Sequence, residues 1–243
     1  MRLDRRRANE MRPVKFTRGV SDHAEGSCLV EFGLTHVRCT ATVNEHLPRW
    51  RKAEDGGWVT GEYDMLPRAG HERSPRTGGR GGRAQEISRL VGRSFRAVTD
   101  LSKLPGVTIV IDCDVLQADG GTRTAAISGG YIALIDALCY CREKNLIQQM
   151  PLRDSVAAVS VGLVDGKAYL DLCYEEDFSA TLDANFVITG RGDLVEIQMT
   201  GEEATFTEED LHQLLGLAKR GVRKLTRLQR VATGPVRFLR SGG

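Results

Sequence analysis

The stretch Asp112-Cys113-Asp114-Val115-Leu116-Gln117-Ala118-Asp119-Gly120-Gly121-Thr122-Arg123-Thr124 joins two patterns of different period. Before it, residues 107–111 are apolar and rich in β-branched side chains, the pattern of a buried strand. After it, Ile127, Tyr131, Leu134 and Leu138 recur at helical spacing. A strand ends, two glycines turn the chain, and a helix opens with hydroxyl and guanidinium groups at its mouth. The first N–H groups of a helix lack intrahelical partners and carry partial positive charge. Glycines let an anion approach that backbone. Arg123 adds a planar fork of donors that matches phosphate. The stretch is therefore either an oxyanion site, with phosphate as the natural ligand, or a plain turn capped by Thr122 or Thr124.

Outward from this join the chain alternates strands and helices. Residues 27–32 and 35–43 read as a hairpin around Gly33-Leu34, with Cys28, Val30, Phe32, Val37, Cys39, Ala41 and Val43 on one buried face. His36 lies on the other face. Residues 1–18 are polar and read as irregular, and 58–63 form a short strand. Residues 65–83 have no period and are dominated by Gly, Pro and Arg, as in a functional or a flexible loop. A helix is expected over 86–98, with Arg83 just before it. Downstream, residues 156–164 and 168–172 flank Asp165-Gly166, a strong hairpin signal. Strands follow at 184–189 and 194–200, then a helix from Thr207 with Asp210 at a capping-box position. The expected fold class is α+β: mixed sheets with hairpins, packed on two central helices and a C-terminal helix. No Pro/Ser-rich linker divides the pattern, so one domain is expected over 1–243.

Composition sets the broad class. The chain has 243 residues, 41% hydrophobic and 27% charged, which is ordinary for a globular protein. No apolar run reaches the roughly 20 residues of a membrane span, and the basic N-terminus lacks the apolar core of a secretory signal. No membrane association and a cytoplasmic location are the expectation. Six scattered cysteines with no CxxC pair read as buried free thiols.

The net charge of +2 conceals segregation. Residues 68–96 hold eight arginines against Glu72 and Glu86. Residues 219–240 hold eight basic residues and no acidic one. Residues 165–210 hold thirteen acidic residues against Lys167 and Arg191. Basic blocks point to a polyanionic partner such as nucleic acid, or to solvated faces and subunit contacts. The acidic block includes Glu175, Glu176, Asp177 and Asp183. Two such carboxylates can hold Mg²⁺, or one can act as a general acid, and the local sequence does not choose among them.

The join resembles the signature of the bacterial ribonuclease PH family. The resemblance extends through residues 23–27 (HAEGS), 62–68 (EYDMLPR), 81–83 (GGR) and 156–162 (VAAVSVG), and covers roughly 11–222. It implies a ribonuclease PH / ribosomal protein S5 domain 2-like fold. It implies a phosphorolytic 3′→5′ exoribonuclease that trims precursor tRNA and other RNA 3′ ends. It also implies inorganic phosphate as co-substrate, a divalent cation such as Mg²⁺, and a homohexameric ring built as a trimer of dimers. By the resemblance, Arg83, Gly121, Thr122 and Arg123 hold phosphate. Asp177 and Asp183 are the catalytic carboxylates and the candidate metal ligands, Asp183 nearer the metal and Asp177 nearer the proton, or the reverse. Arg68, His71, Arg73 and Arg76 match positions that engage tRNA. The loop before Arg83 is shorter than in some relatives, and the basic tail after Arg230 has no firm counterpart. A non-catalytic, RNA-binding ring subunit of exosome type shares this fold. The presence of all four charged site residues favours an enzyme. A small-molecule phosphate enzyme would leave the arginine-rich loop unexplained.

Overall fold

The computed structural model describes residues 2, 4–76, 81–201, 205–236 and 238. Its first sheet contains β1 (Val14–Arg18), β2 (Gly26–Phe32), β3 (Thr35–Asn44), β4 (Trp58–Met65) and β5 (Thr108–Gln117), in the order β1-β2-β3-β5-β4. Consecutive strands β1, β2 and β3 pair antiparallel, and β3 pairs antiparallel with β5. β4 and β5 run parallel, which needs a crossover. Helix α1 (Gly82–Ala97) supplies it. One face of the sheet is apolar: Cys28, Val30, Phe32, Val37, Cys39, Ala41, Ile109, Ile111, Cys113 and Val115 are all buried. The opposite face is wet, and there Arg38 pairs with Asp114 across β3 and β5 at 2.9 Å.

Helix α2 (Thr122–Glu143) follows the join and packs on β2, β3 and β5 with one side and on β6 with the other. β6 (Val156–Val164) belongs to a second, antiparallel sheet with β7 (Lys167–Leu170), β8 (Leu182–Thr189) and β9 (Leu194–Gly201), in the order β7-β6-β8-β9. A short helix, α3 (Tyr174–Phe178), lies between β7 and β8. Helix α4 (Glu208–Thr233) covers β6, β7 and β8. Its start is capped as expected: Thr207 Oγ1 accepts from Asp210 N at 3.1 Å, and Asp210 accepts from Thr207 N at 2.9 Å.

Several expectations need correction. Residues 112–117 continue β5, because their alternate side chains still point into the core. The helix expected from 86 begins at Gly82, so Arg83 lies in its first turn. Residues 14–18 form β1, and Arg2 and Arg12 upstream are buried. The strand expected from 184 begins at Leu182, so Asp183 lies within β8, and Asp177 lies within α3. Gln229 on α4 is buried and donates to the carbonyls of Ser128 and Val156 at 2.9 and 3.0 Å. All six cysteines are free, but Cys139 and Cys173 are only half-buried. Burial pushes the Cys28 thiol up to about 12 and Cys141 up to about 11. Helix α2 is long and apolar enough to cross a membrane by length and composition, contrary to the sequence reading, yet 83% of its most apolar window is buried within the protein. Residues 1, 3, 77–80, 202–204, 237 and 239–243 lie outside the described residues, among them Arg80, Arg237 and Arg240 of the basic blocks and the Ser241-Gly242-Gly243 tail.

Candidate active site

The turn before α2 is built on two left-handed residues, Gly120 at φ +70° and Gly121 at φ +66°. Gly121 is the N-cap residue, and no side chain caps the helix. This corrects the alternative in which Thr122 or Thr124 does so. Thr124 instead donates to the Gly121 carbonyl at 2.8 Å, and Thr122 Oγ1 accepts from the buried Tyr63 hydroxyl at 2.8 Å. Burial raises the Tyr63 phenol, with Thr122, Arg83 and Arg123 opposing it in part. It stays a neutral donor and fixes the Thr122 hydroxyl. The uncapped start of α2 keeps the anion-binding capacity expected of a helix N-terminus.

The turn is held from below by Arg12. Its guanidinium donates to the Asp119 carbonyl, to the Gly120 carbonyl at 3.4 Å and to the Leu172 carbonyl at 3.2 Å. The same group binds the Asp171 carboxylate through Nε at 3.0 Å and Nη2 at 2.7 Å. Thr35 Oγ1 accepts from Asp119 N at 2.9 Å and donates to the Gly120 carbonyl at 2.7 Å. Asp171 itself is fully buried with φ +57°. Burial pushes its carboxyl up, but Arg12 and Arg6 more than reverse this and leave it below the usual carboxylate range.

Helix α3 is tied to the same turn. Tyr174 N donates to Asp119 Oδ1 at 3.1 Å. Glu176, on α3, forms a buried pair with Arg2 at 2.6 Å. A Cβ on Gly120 would lie 2.6 Å from the Leu172 carbonyl oxygen and 2.9 Å from Tyr174 N. Gly120→Ala is therefore expected to cost about 2–4 kcal/mol, from a left-handed backbone plus a clash with main chain that cannot rotate away. Denaturant unfolding measures it, and a loss below 0.5 kcal/mol would refute the close approach (roughly the scale of a neutral surface change).

These elements enclose an open cavity of about 980 Å³. Arg83, Gly121, Thr122, Arg123, Asp177 and Asp183 all line it, so the structure brings together every proposed phosphate ligand and both carboxylates. The second sheet supplies a polar floor that the sequence reading missed. Ser160, Asn185 and Gln198 are register partners across β6, β8 and β9, and Gly162, Asp183 and Thr200 form the adjacent row. Ser160, Asn185, Gln198 and Thr200 also line the cavity. The alternation of Asp183 and Asn185 with buried Leu182, Ala184 and Phe186 was the available signal. Arg123 Nη1 donates to Gln198 Oε1 at 2.6 Å and pairs with Glu86 Oε1 at 3.3 Å. Gln198 also donates to Glu86 at 3.2 Å. Both Arg123 bonds use one nitrogen, which holds the guanidinium in place and leaves its other N–H groups out of these two bonds.

Of the four residues matched to tRNA contacts, only His71 lines the cavity. Its ring packs on Tyr174 with centroids 5.3 Å apart, which links the loop to α3. Arg68 donates to the carbonyls of Gly70, at 3.2 Å, and His71, and so shapes the loop. Arg73 and Arg76 are exposed and stand outside the cavity lining.

Comparison with known proteins places this geometry. Residues 10–139 match the model of the 3′ exoribonuclease family, domain 1, and residues 154–221 match domain 2 of the same family. Ribonuclease PH of Methylocella silvestris is 54% identical over 96% of this chain and 99% of its own. That of Methylobacterium radiotolerans is 55% identical over the same shares. The crystal structure of rice (Oryza sativa) Rrp46 superposes with a TM-score of 0.79 at 20% identity, covering 96% of this chain and 100% of its own. An exosome of Archaeoglobus fulgidus, with RNA bound to its active site, gives a TM-score of 0.80 at 24% identity, covering 93% and 91%. The two solved structures share the fold. The ribonuclease PH relatives are more than half identical from end to end, and both family domains match in order, so the chain belongs to the ribonuclease PH family of 3′ exoribonucleases.

Proposed function

We propose that the cavity is a phosphorolytic centre in which Arg83, Arg123 and the Gly121-Thr122 helix start hold inorganic phosphate against the 3′ end of an RNA. The enzyme is a phosphorolytic 3′→5′ exoribonuclease that trims precursor tRNA and releases nucleoside 5′-diphosphates. The observation that carries the site assignment is the convergence of both arginines, the uncapped helix start and both carboxylates on one cavity. Phosphate and phosphodiester are both anions, and Arg83 together with Arg123, which Glu86 and Gln198 hold in place, offsets their repulsion. A phosphate oxygen attacks the terminal phosphorus. The bond to the penultimate ribose O3′ breaks, and that oxygen takes a proton. Asp177 or Asp183, in its protonated form, supplies the proton.

The same two aspartates would hold Mg²⁺. Among the described residues no group of three His, Cys, Asp or Glu side chains is close enough to cage a metal. Two carboxylates facing a phosphate site fit Mg²⁺, which commonly takes one or two protein carboxylates together with substrate phosphates and waters. When bound, the cation would stabilise charge developing on the leaving oxygen. The loop carrying Arg68, His71, Arg73 and Arg76 meets the tRNA, His71 at the cavity and the three arginines outside its lining, the two sheets act as one domain, and the chain works as a cytoplasmic homohexamer, a trimer of dimers. The family resemblance supports these last assignments.

Incubation of a 3′-extended tRNA with and without phosphate tests the reading. Nucleoside diphosphates that form only with phosphate are expected. Monophosphates released without phosphate would mean hydrolysis, and RNA binding without turnover would favour a non-catalytic ring subunit. Arg123→Ala removes charge-assisted hydrogen bonds worth about 2–3 kcal/mol, so the KM for phosphate should rise roughly 30- to 150-fold. An unchanged phosphate KM would remove Arg123 from that role.

A further inference from the structure

We propose that a groove between the N-terminal segment and α4 binds the RNA phosphate backbone upstream of the 3′ end being trimmed. It encloses about 610 Å³ and is lined by Arg7, Arg220, Arg223, Lys224 and Arg227, with Glu10 as the only acidic lining residue among the described residues. Among the described residues the five cationic side chains have no carboxylate partner, and Glu10 Oε2 accepts from the backbone N–H of Arg7 at 3.2 Å.

The four α4 cations stand at positions i, i+3, i+4 and i+7, on one side of the helix. Like charges at that spacing repel and weaken a helix, so the arrangement is unfavourable until an anion occupies the groove. From Arg220 to Arg227 the cations span about 10 Å along the helix axis. That spread suits a chain of phosphates better than one inorganic phosphate. Four of the five cations are arginines, whose planar fork recognises phosphate oxygens in pairs.

Two stretches of chain connect the groove with the catalytic cavity. Arg7 and Met11 line the groove, and the next residue, Arg12, lies beneath the phosphate turn. Leu170 lines the groove, and Asp171 and Leu172 lead directly into α3 with its Asp177. The proposal places the 3′ end of the RNA in the cavity and its upstream phosphates in the groove. This inference rests on reading the cavity as the seat of that 3′ end.

The test is the double variant Arg223→Gln/Arg227→Gln, both exposed side chains whose loss leaves the core intact. Binding of a 3′-extended tRNA is followed by fluorescence anisotropy without phosphate, so failure of phosphorolysis and failure of the groove are separate outcomes. Affinity should fall on the order of tenfold at low salt, and the slope of log K against log salt should flatten by about 1.4, for two lost phosphate contacts to a single strand. In turnover, the KM for the tRNA should rise while kcat stays near wild type. Unchanged affinity and salt slope would overturn the proposal. So would an equal loss on a dinucleotide, which offers one phosphodiester and occupies only the catalytic cavity. A change in sedimentation that tracks the loss would assign the face to a second copy of the chain and also overturn it.

Discussion

An Asp183→Asn enzyme is expected to bind a 3′-extended tRNA as the wild type does and to turn it over roughly 10²–10⁴-fold more slowly. Asn has nearly the same shape, so the backbone row Gly162–Asp183–Thr200 should persist. What disappears is the carboxyl group. An amide neither gives a proton to the leaving ribose oxygen nor holds a cation with a full negative charge. The cationic wall with Arg83 and Arg123 is untouched, so phosphate and RNA still bind. Measuring kcat at saturating phosphate beside the tRNA dissociation constant separates the two effects. Wild-type turnover would exclude Asp183 from the chemistry, and lost binding would make it a structural residue.

The second large effect concerns Asp171, which does not line the cavity. Asp171→Asn should destabilise the fold by about 3–5 kcal/mol, because it strands the buried Arg12 guanidinium without a counter-charge. Replacing both partners, as Arg12→Met/Asp171→Leu, should cost less than the single change. Acid should act on the same pair. Since the folded carboxyl lies below its ordinary value, the stability it provides is complete above the unfolded pKa of about 3.9 and is lost as pH falls through the lowered folded value. Glu176 shifts the same way: burial pushes it up, and Arg2, with Cys173 N and Arg6, outweighs that. Wild-type melting temperature should drop as pH falls below about 4, and the Asp171→Asn protein should be flatter there. Equal melting curves for the two proteins would show that the pair contributes nothing.

The outline of this molecule was legible because two kinds of period were intact. Alternation exposed β2 and β3, the Asp165-Gly166 turn exposed β6, and helical spacing exposed α2 and, with a capping box, α4. The Gly120-Gly121 turn could be recognised because only left-handed residues fit there. The carboxylate half was harder. Asp183 sits among strand residues whose polar alternation is short, and Asp177 lies on a five-residue helix too brief for a period. Residues 1–18 misled most. An arginine bound to a buried carboxylate 159 residues away in sequence, as Arg12 is to Asp171, looks in sequence like a solvated one. Only the fold reveals the pairing. The same holds for Gln198, which contacts Arg123 across 75 residues.

Helix α2 has a consequence for how the chain is made. Most of its residues are buried, and its coverings lie on both sides of it in sequence: β2, β3 and β5 emerge from the ribosome before it, β6 after it. During synthesis the first sheet can close over one side of the helix at once. The side that meets β6 stays bare until the second sheet has emerged, on a helix that is apolar by overall composition. The half-made protein therefore carries an aggregation-prone surface that the finished one hides, and chaperone dependence should peak between residues 143 and 201 of synthesis.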